Sequence, residues 1–537
     1  MSFRAQLPQQ FGNPSTARAT LKRSGLAALL AAGVSIFAVP ADATVITSAT
    51  GNCGTGSIAS TGTTASQLII GCAATGSLEV NASSAGNGLT TATAGYTGGS
   101  IGLVSGYFTG GNGSVLVNGN GTAGSATLNI TRAVEVGFSG GTGSLTVQNG
   151  GTAQVTTSGS EITIANSSST GTATVDGANS LLSSGSRIYV GSFSNAVGSL
   201  TVSNGGRVQS TVAPGGFIDG ALVIGAASNA SGTVTVTGAN SVISTNGLIV
   251  GDNEAGSTGS LTIQNGGAVN ATVLADGTGA GLSIGAASGA TVTVTGAGSS
   301  LNVAPVTSGF IAGKDFNIGG FAAGTLIVDQ SASVNAAGTN VHVSGGVNGT
   351  QTGAAGLLTV KNGATLTADT VTIYQNGTLN GTGTIAADVV LNGGTLAPGN
   401  SPGTINVLGD LDLLSGNVSL EIGPGISDHF DVSGNVTIGK DVIVTLVFET
   451  TPSFDQVFDL ESFFTHTGGF DFDPAFNLAS QISVSGLAGG SSIFVTADGQ
   501  RTGFSSPLGV PEPASIAFLL AGLGGLAAMR RRRKAAV

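Results

Sequence analysis

The chain has 537 residues, of which 91 are Gly and none Trp, and only 8% are Asp, Glu, Lys or Arg. So much Gly excludes an ordinary helical enzyme, its lack of a G-X-Y period excludes collagen, and 40% hydrophobic residues exclude a charge-swollen disordered chain. The termini hold most of the cations, so between residues 44 and 510 only seven Lys and Arg face 25 Asp and Glu, a surface that repels nucleic acid.

At the N-terminus Arg18, Lys22 and Arg23 precede the apolar run Leu26 to Val39, and Ala41-Asp42-Ala43 follows. A positive segment, a short apolar segment and small residues at a cleavage site describe a secretory signal over residues 1–43, cut between Ala43 and Thr44. Lys22-Arg23 is not a twin-Arg pair, so the general secretory route is expected. A first buried helix is the structural alternative, and the true start codon stays open. Residues 44–130 read as an N-terminal cap with irregular first coils. Cys53 and Cys72 are the only cysteines. In an exported chain they are expected to pair as a disulfide that ties the cap, with two free thiols as the alternative.

Residues 131–440 are repetitive. GSLTVQNGG at Gly143 recurs as GSLTVSNGG at Gly198 and GSLTIQNGG at Gly259, with a looser GLLTVKNGA at Gly356. Between them lie GTATVDGANS at Gly171, GTVTVTGANS at Gly232 and ATVTVTGAGS at Ala290. A second signature ends on Val136, Ile164, Val190, Ile224, Val250, Ile284, Ile318, Val343 and Ile373, spaced 25 to 34 residues apart. Each unit holds three strand-like pieces, such as Ala221 to Ile224, Gly232 to Val236 and Ser241 to Ser244, alternating apolar and small polar residues. Gly, Asn and Ser between the pieces supply the positive-φ corners of turns. Three strands and three corners per coil of about 30 residues predict an all-β fold, a right-handed parallel β-helix. Nine coils at a strand spacing of about 4.8 Å rise roughly 43 Å. One coil cannot bury its Val, Ile and Leu, whereas stacking joins them into one core.

These repeats resemble the type V secretion and PEP-CTERM-associated repeat, a solenoid motif of autotransporter passengers, over residues 130 to 375. Leu391 to Gly403 (LNGGTLAPGNSPG) and Ser427 to Val432 (SDHFDV) are similar to the closing coils of such passengers. No autotransporter barrel is expected after residue 505, which removes self-translocation from the reading. Over residues 441–509 the composition shifts, with Phe448, Phe454, Phe458, Phe463, Phe464, Phe470, Phe472 and Phe476 among many Asp residues. This segment is expected to form a β-rich cap over the last coil.

Residues 510–537 close the sequence. Val510-Pro511-Glu512-Pro513 leads into the 16-residue run Ala514 to Met529, then Arg530, Arg531, Arg532, Arg533 and Lys534. As a helix the run would rise about 24 Å, slightly short of a ~30 Å hydrocarbon core, a gap that snorkelling Arg side chains cover. The basic tail acts as a stop-transfer signal and stays cytoplasmic. This order resembles the PEP-CTERM sorting signal of Gram-negative bacteria. The resemblance implies that Pro511, Glu512 and Pro513 are recognition residues for an exosortase, a membrane-embedded cysteine transpeptidase. It also implies transient inner-membrane insertion and final placement at the cell surface or in the exopolysaccharide matrix.

Chemistry-bearing residues are sparse. Between residues 44 and 360 the acids are Glu79, Glu135, Glu161, Asp176, Asp219, Asp252, Glu254, Asp276, Asp315 and Asp329, with Arg132, Arg187, Arg207 and Lys314. They form no convincing carboxylate pair, Asp252 and Glu254 being loose neighbours. His342 is expected to be a solvated strand residue. Asp428, His429 and Asp431 are the one compact His/Asp group, expected to serve packing rather than a nucleophilic triad. Asp471 and Asp473 are a weak calcium possibility, but no repeated calcium motif or nucleotide fingerprint is present. The expected function is therefore a non-enzymatic, exported structural or adhesive solenoid, associated with exopolysaccharide or envelope components and requiring no cofactor. A polysaccharide-degrading β-helix enzyme and a permanently membrane-anchored envelope protein are the alternatives.

Overall fold

The computed structural model describes residues 44–49, 68–72, 75–82 and 90–94 and, between 101 and 506, all but 211–220, 253–255, 274–281, 287–288, 306–314, 346–353, 400–401 and 454. The chain forms two compact units, Met1–Gly377 and Thr378–Val537. Nearly every described element is a strand. The helices among the described residues are one 3-10 turn, Leu460–Phe463, and one α-helical turn, Leu478–Gln481.

In the first unit the strands repeat in threes and stack in parallel, each on its equivalent in the preceding coil. This is the expected parallel β-helix. The first face runs from Thr75–Asn81 and Asn112–Asn118 through Thr142–Gln148 to Gly356–Val360. The second face begins at Thr90–Ala94 and Ala126–Ile130, and the third at Leu68–Cys72 and Ile101–Tyr107. The first-face register is thus regular from Thr75 onward, some 55 residues before the sequence repeat becomes visible. Thr44–Ala49 pairs antiparallel with Thr75–Asn81, Thr44 opposite Asn81, and covers the open edge of the first coil.

Alternation places one aliphatic column above another. Val80, Val117, Val147, Val175, Val202, Val236, Ile263, Val294 and Val328 follow each other up the first face, all fully buried. The nine residues whose spacing marks the repeat, Val136 to Ile373, likewise form one buried column on the third face. Each such side chain contributes about 1.5–3 kcal/mol on leaving water, but only when a coil lies on either side of it.

The corners explain the recurring Asn-Gly. Where the first face turns into the second, Asn149 and Gly150 adopt φ of 54° and 81°, and Asn204 and Gly205 do the same at 51° and 87°. Asn and Gly tolerate that left-handed region best.

The second unit is built on the same principle with shorter coils at its start. Thr378 pairs with Thr395, and Leu396 pairs with Val418. Above them Leu411–Ile422 lies parallel to Val436–Phe448. The division between units falls at Gly377, inside the stretch that sequence assigns to one solenoid, where these shorter coils begin. The Phe-rich segment is not only a cap. Phe464–His466, Phe470–Phe472 and Ile482–Ser485 make one more parallel layer, and Gln456–Asp459, Ser492–Ala497 and Gln500–Ser505 form a separate three-stranded sheet. Phe430 and Phe464 stack at 5.2 Å across the layer step.

Candidate binding surface and sorting segment

The alternation that buries Leu and Val on the first face turns the residues between them outward, and the parallel register aligns these in columns. One column runs Thr146, Thr174, Thr201, Thr235, Thr262 and Thr293. Beside it Ser144, Thr172, Ser199, Thr233, Ser260, Thr291 and Thr325 form a second. Neither column carries a charge. Hydroxyls in a column stand one strand spacing apart, about 4.8 Å. At the margin Ser203 Oγ donates to Asp176 Oδ1 at 2.6 Å and Asn265 Nδ2 to Thr237 Oγ1 at 3.0 Å, tying successive coils.

The second face carries an outward ladder of polar side chains, mostly amides: Asn129, Gln154, Ser183, Gln209, Ser244, Asn270, Asn302, Asn335 and Thr367. Gln154 Nε2 donates to Asn129 Oδ1 at 2.6 Å, and Asn302 Nδ2 to Asn270 Oδ1 at 2.8 Å. This face is not flat. Val242–Thr245 turns away at Asn246, whereas Ala268–Val273 and Ser300–Pro305 run two residues further and pair as Thr272 with Ala304 and Val273 with Pro305. On the far side Ser333–Val343 follows them only to Asn335 before bending, with Gly338 at φ +80°. The overhang leaves an open groove of about 460 Å³, lined by Asn246, Asn270, Asn302 and Asn335 with Pro305 and Ala337. The sequence reading missed it. Its trace there is the recurrence of Asn at 270, 302 and 335 together with the lengthened strands.

On the third face most of the outward column is buried as well as the inward one, Tyr189, Ile249 and Thr372 being half-buried, which alternation does not foretell. Glu135, Thr163, Asn317 and His342 all lie there with little or no exposure. His342 is thus a correction: it is 7% exposed rather than solvated, its Nε2 3.3 Å from Asp315 Oδ1 and its ring 5.8 Å from Tyr374. Asn166 Nδ2 donates to Glu135 Oε2 at 2.8 Å. Burial raises the Tyr189 phenol above its ordinary value although Arg187 Nη1 donates to it at 2.8 Å.

Within the compact His/Asp group only Asp428 parts from the other two on folding. Asp428 is wholly buried and accepts from the backbone N–H of Gly403 at 2.7 Å and of Glu421 at 2.8 Å. Burial pushes its carboxyl up to about 6, against the lowering effect of those two hydrogen bonds. His429, one strand position on, lies on the other side, with Nε2 2.8 Å from Thr465 Oγ1 and 3.5 Å from Asp431 Oδ1. Asp473 Oδ1 accepts from Ala475 N at 2.7 Å. Among the described residues no three His, Cys, Asp or Glu side chains gather as a metal site.

Cys72 ends a third-face strand, buried and disulfide-bonded. Cys53, Ala43 and Glu254 lie outside the described residues, as do Pro511, Glu512, Pro513, the run 514–529 and the tail Arg530 to Lys534. Among the described residues no helix is long and apolar enough to cross a membrane.

No curated protein matches the chain. Residues 509–534 match the PEP-CTERM protein-sorting motif, with Pro511, Glu512 and Pro513 near its start and the apolar run and Arg cluster behind them. The chain therefore carries, behind a parallel β-solenoid, the mark of an exported protein that an exosortase sorts to the cell surface.

Proposed function

We propose that this protein is a non-catalytic structural or adhesive element of the cell surface or extracellular matrix, held in contact with neutral exopolysaccharide. After export and cleavage between Ala43 and Thr44, the run 514–529 holds it in the inner membrane until the exosortase removes it. The observation that carries the reading is the sorting motif at residues 509–534. The body supports it: two uncharged hydroxyl columns and an amide ladder offer alternating donors and acceptors to sugar hydroxyls, and a chain with so few cations has little to hold an acidic polymer.

The test is mass spectrometry of the mature protein from cells with and without the exosortase. Loss of the Arg-rich tail and release to the surface fraction are expected only when the exosortase is present, and Glu512→Ala should trap the uncut form in the inner membrane. An intact tail on surface-exposed protein would overturn the sorting step. Turnover of a neutral polymer that a single carboxylate substitution abolishes would overturn the non-catalytic reading.

A further inference from the structure

We infer that the second-face groove between Asn246 and Ala337 is the site at which a single unbranched, neutral polysaccharide chain is held. The inference rests on the polysaccharide reading above and narrows it from the whole solenoid surface to one place.

Three features set this groove apart. It is concave, because two strands overhang a corner that the neighbouring coil has already turned, and its volume of about 460 Å³ falls within the about 300–1,000 Å³ of small-molecule sites. The first face, by contrast, buries a ligand on one side only. Next, its polar groups include the amides of Asn246, Asn270, Asn302 and Asn335 beside the hydroxyls of Ser244, Thr245 and Thr272. Asn270, Asn302 and Asn335 stand in register over two strand steps, about 9.6 Å along the stack. The Asn302 amide nitrogen already donates to Asn270 Oδ1 at 2.8 Å and to Ser300 Oγ at 3.2 Å. Among the described residues that leaves the Asn270 NH2 donors, the Asn302 carbonyl oxygen and the whole Asn335 amide to bond a ligand. An amide of this kind donates to one sugar hydroxyl and accepts from the next.

Finally, the lining is neutral. Among the described residues no Lys, Arg, Asp or Glu lines it, so that lining offers a carboxylate or sulfate no counter-charge. Pro305 and Ala337 give the C–H faces of a sugar ring an apolar contact. With no aromatic ring among the described lining residues, one site binds weakly, and affinity for a polymer comes from several neighbouring sugar units.

The experiment is calorimetric titration of the full exported chain with cellohexaose, mannohexaose and maltohexaose as neutral probes and polygalacturonate as an acidic one. At least one neutral hexamer should bind with a dissociation constant of order 0.1–1 mM. Asn335→Ala and Asn302→Ala should weaken that binding tenfold or more. Among the described residues Asn335 makes no side-chain hydrogen bond and it is exposed, so Asn335→Ala is expected to leave the fold intact, and an unchanged circular dichroism spectrum checks this. Thr201→Ala, on the first face, should bind as the parent does. Binding that survives Asn335→Ala but fails in Thr201→Ala would overturn the groove and keep the polysaccharide reading. Preference for polygalacturonate, or no binding of any neutral hexamer, would overturn both while leaving exosortase sorting untouched.

Discussion

Gly198 occupies the second position of a first-face strand, where the chain has just left the third face. A Cβ there would fall 2.3 Å from the backbone nitrogen of Gly191, which donates to Ile164 O at 2.8 Å. Backbone cannot retreat as a side-chain tip can, so the added methyl must lengthen that corner hydrogen bond. Gly198→Ala is expected to cost about 1–3 kcal/mol and to act locally, because each coil touches only its neighbours. Amide exchange at Gly191 should accelerate roughly 5- to 150-fold while distant coils keep their protection. Equal protection at Gly191 in both proteins would show that the corner relaxes. Gly143 and Gly171 sit equally close to backbone, which is why Gly recurs at this point of the repeat.

Asp428 is the residue whose titration bears on stability. Its folded value of about 6 lies above the ordinary 3.8, so between those values the folded state binds more protons than the unfolded one. Stability from this group is therefore full below pH 4 and is lost as pH rises through 6. The displacement corresponds to roughly 3 kcal/mol at about 1.36 kcal/mol per pH unit. Thermal unfolding of the second unit should occur at lower temperature at pH 7.5 than at pH 5. Asp428→Asn should flatten that dependence, at the expense of the hydrogen bond from Glu421 N. A parent protein more stable at pH 7.5 would contradict the assignment.

At the scale of the element, legibility followed the cause of each feature. Strand alternation and Asn-Gly corners are local, so the columns from Val136 to Ile373 and the corners at Asn149 and Asn204 could be read from the chain. The coils between Thr75 and Asn118 share that register, but their corner segments differ enough to hide the repeat, and only the ladder to Gly143 reveals it. Burial of the outward column on the third face is tertiary. Nothing within the strand Asp315–Ile318 distinguishes Asn317 from a solvated residue, and the same holds for His342. The groove escaped notice for a related reason. Two extra residues on Ala268–Val273 and Ser300–Pro305 matter only because Val242–Thr245 lacks them. In the Asp428-His429-Asp431 group, which the sequence assigns to packing, Asp428 is buried while His429 and Asp431 share the other side, since alternation sends neighbours along an extended chain to opposite sides.

For the molecule as a whole, the unit that can be added or removed is one full turn of the stack. Gly143 and Gly171 pair directly, so deleting residues 143–170 joins Thr142 to Gly171 with every column still in phase. The coil below then meets the coil that formerly lay two steps above it, and aliphatic column meets aliphatic column. Such a deletion should leave the strand content per residue unchanged and lower stability by one coil interface, since stability in a stacked repeat is nearly a sum of neighbour terms. Deleting residues 143–156 removes the first-face strand and the second-face strand Thr152–Val155 but keeps the third, so the chain would enter one face where another must continue. Amide exchange should then show protection lost in the adjoining coils. The groove, more than 70 residues further along, belongs to coils that neither deletion touches. Binding of the neutral hexamer should persist in the full-turn deletion, and its loss there would mean that the coils communicate over distances that nearest-neighbour stacking does not allow.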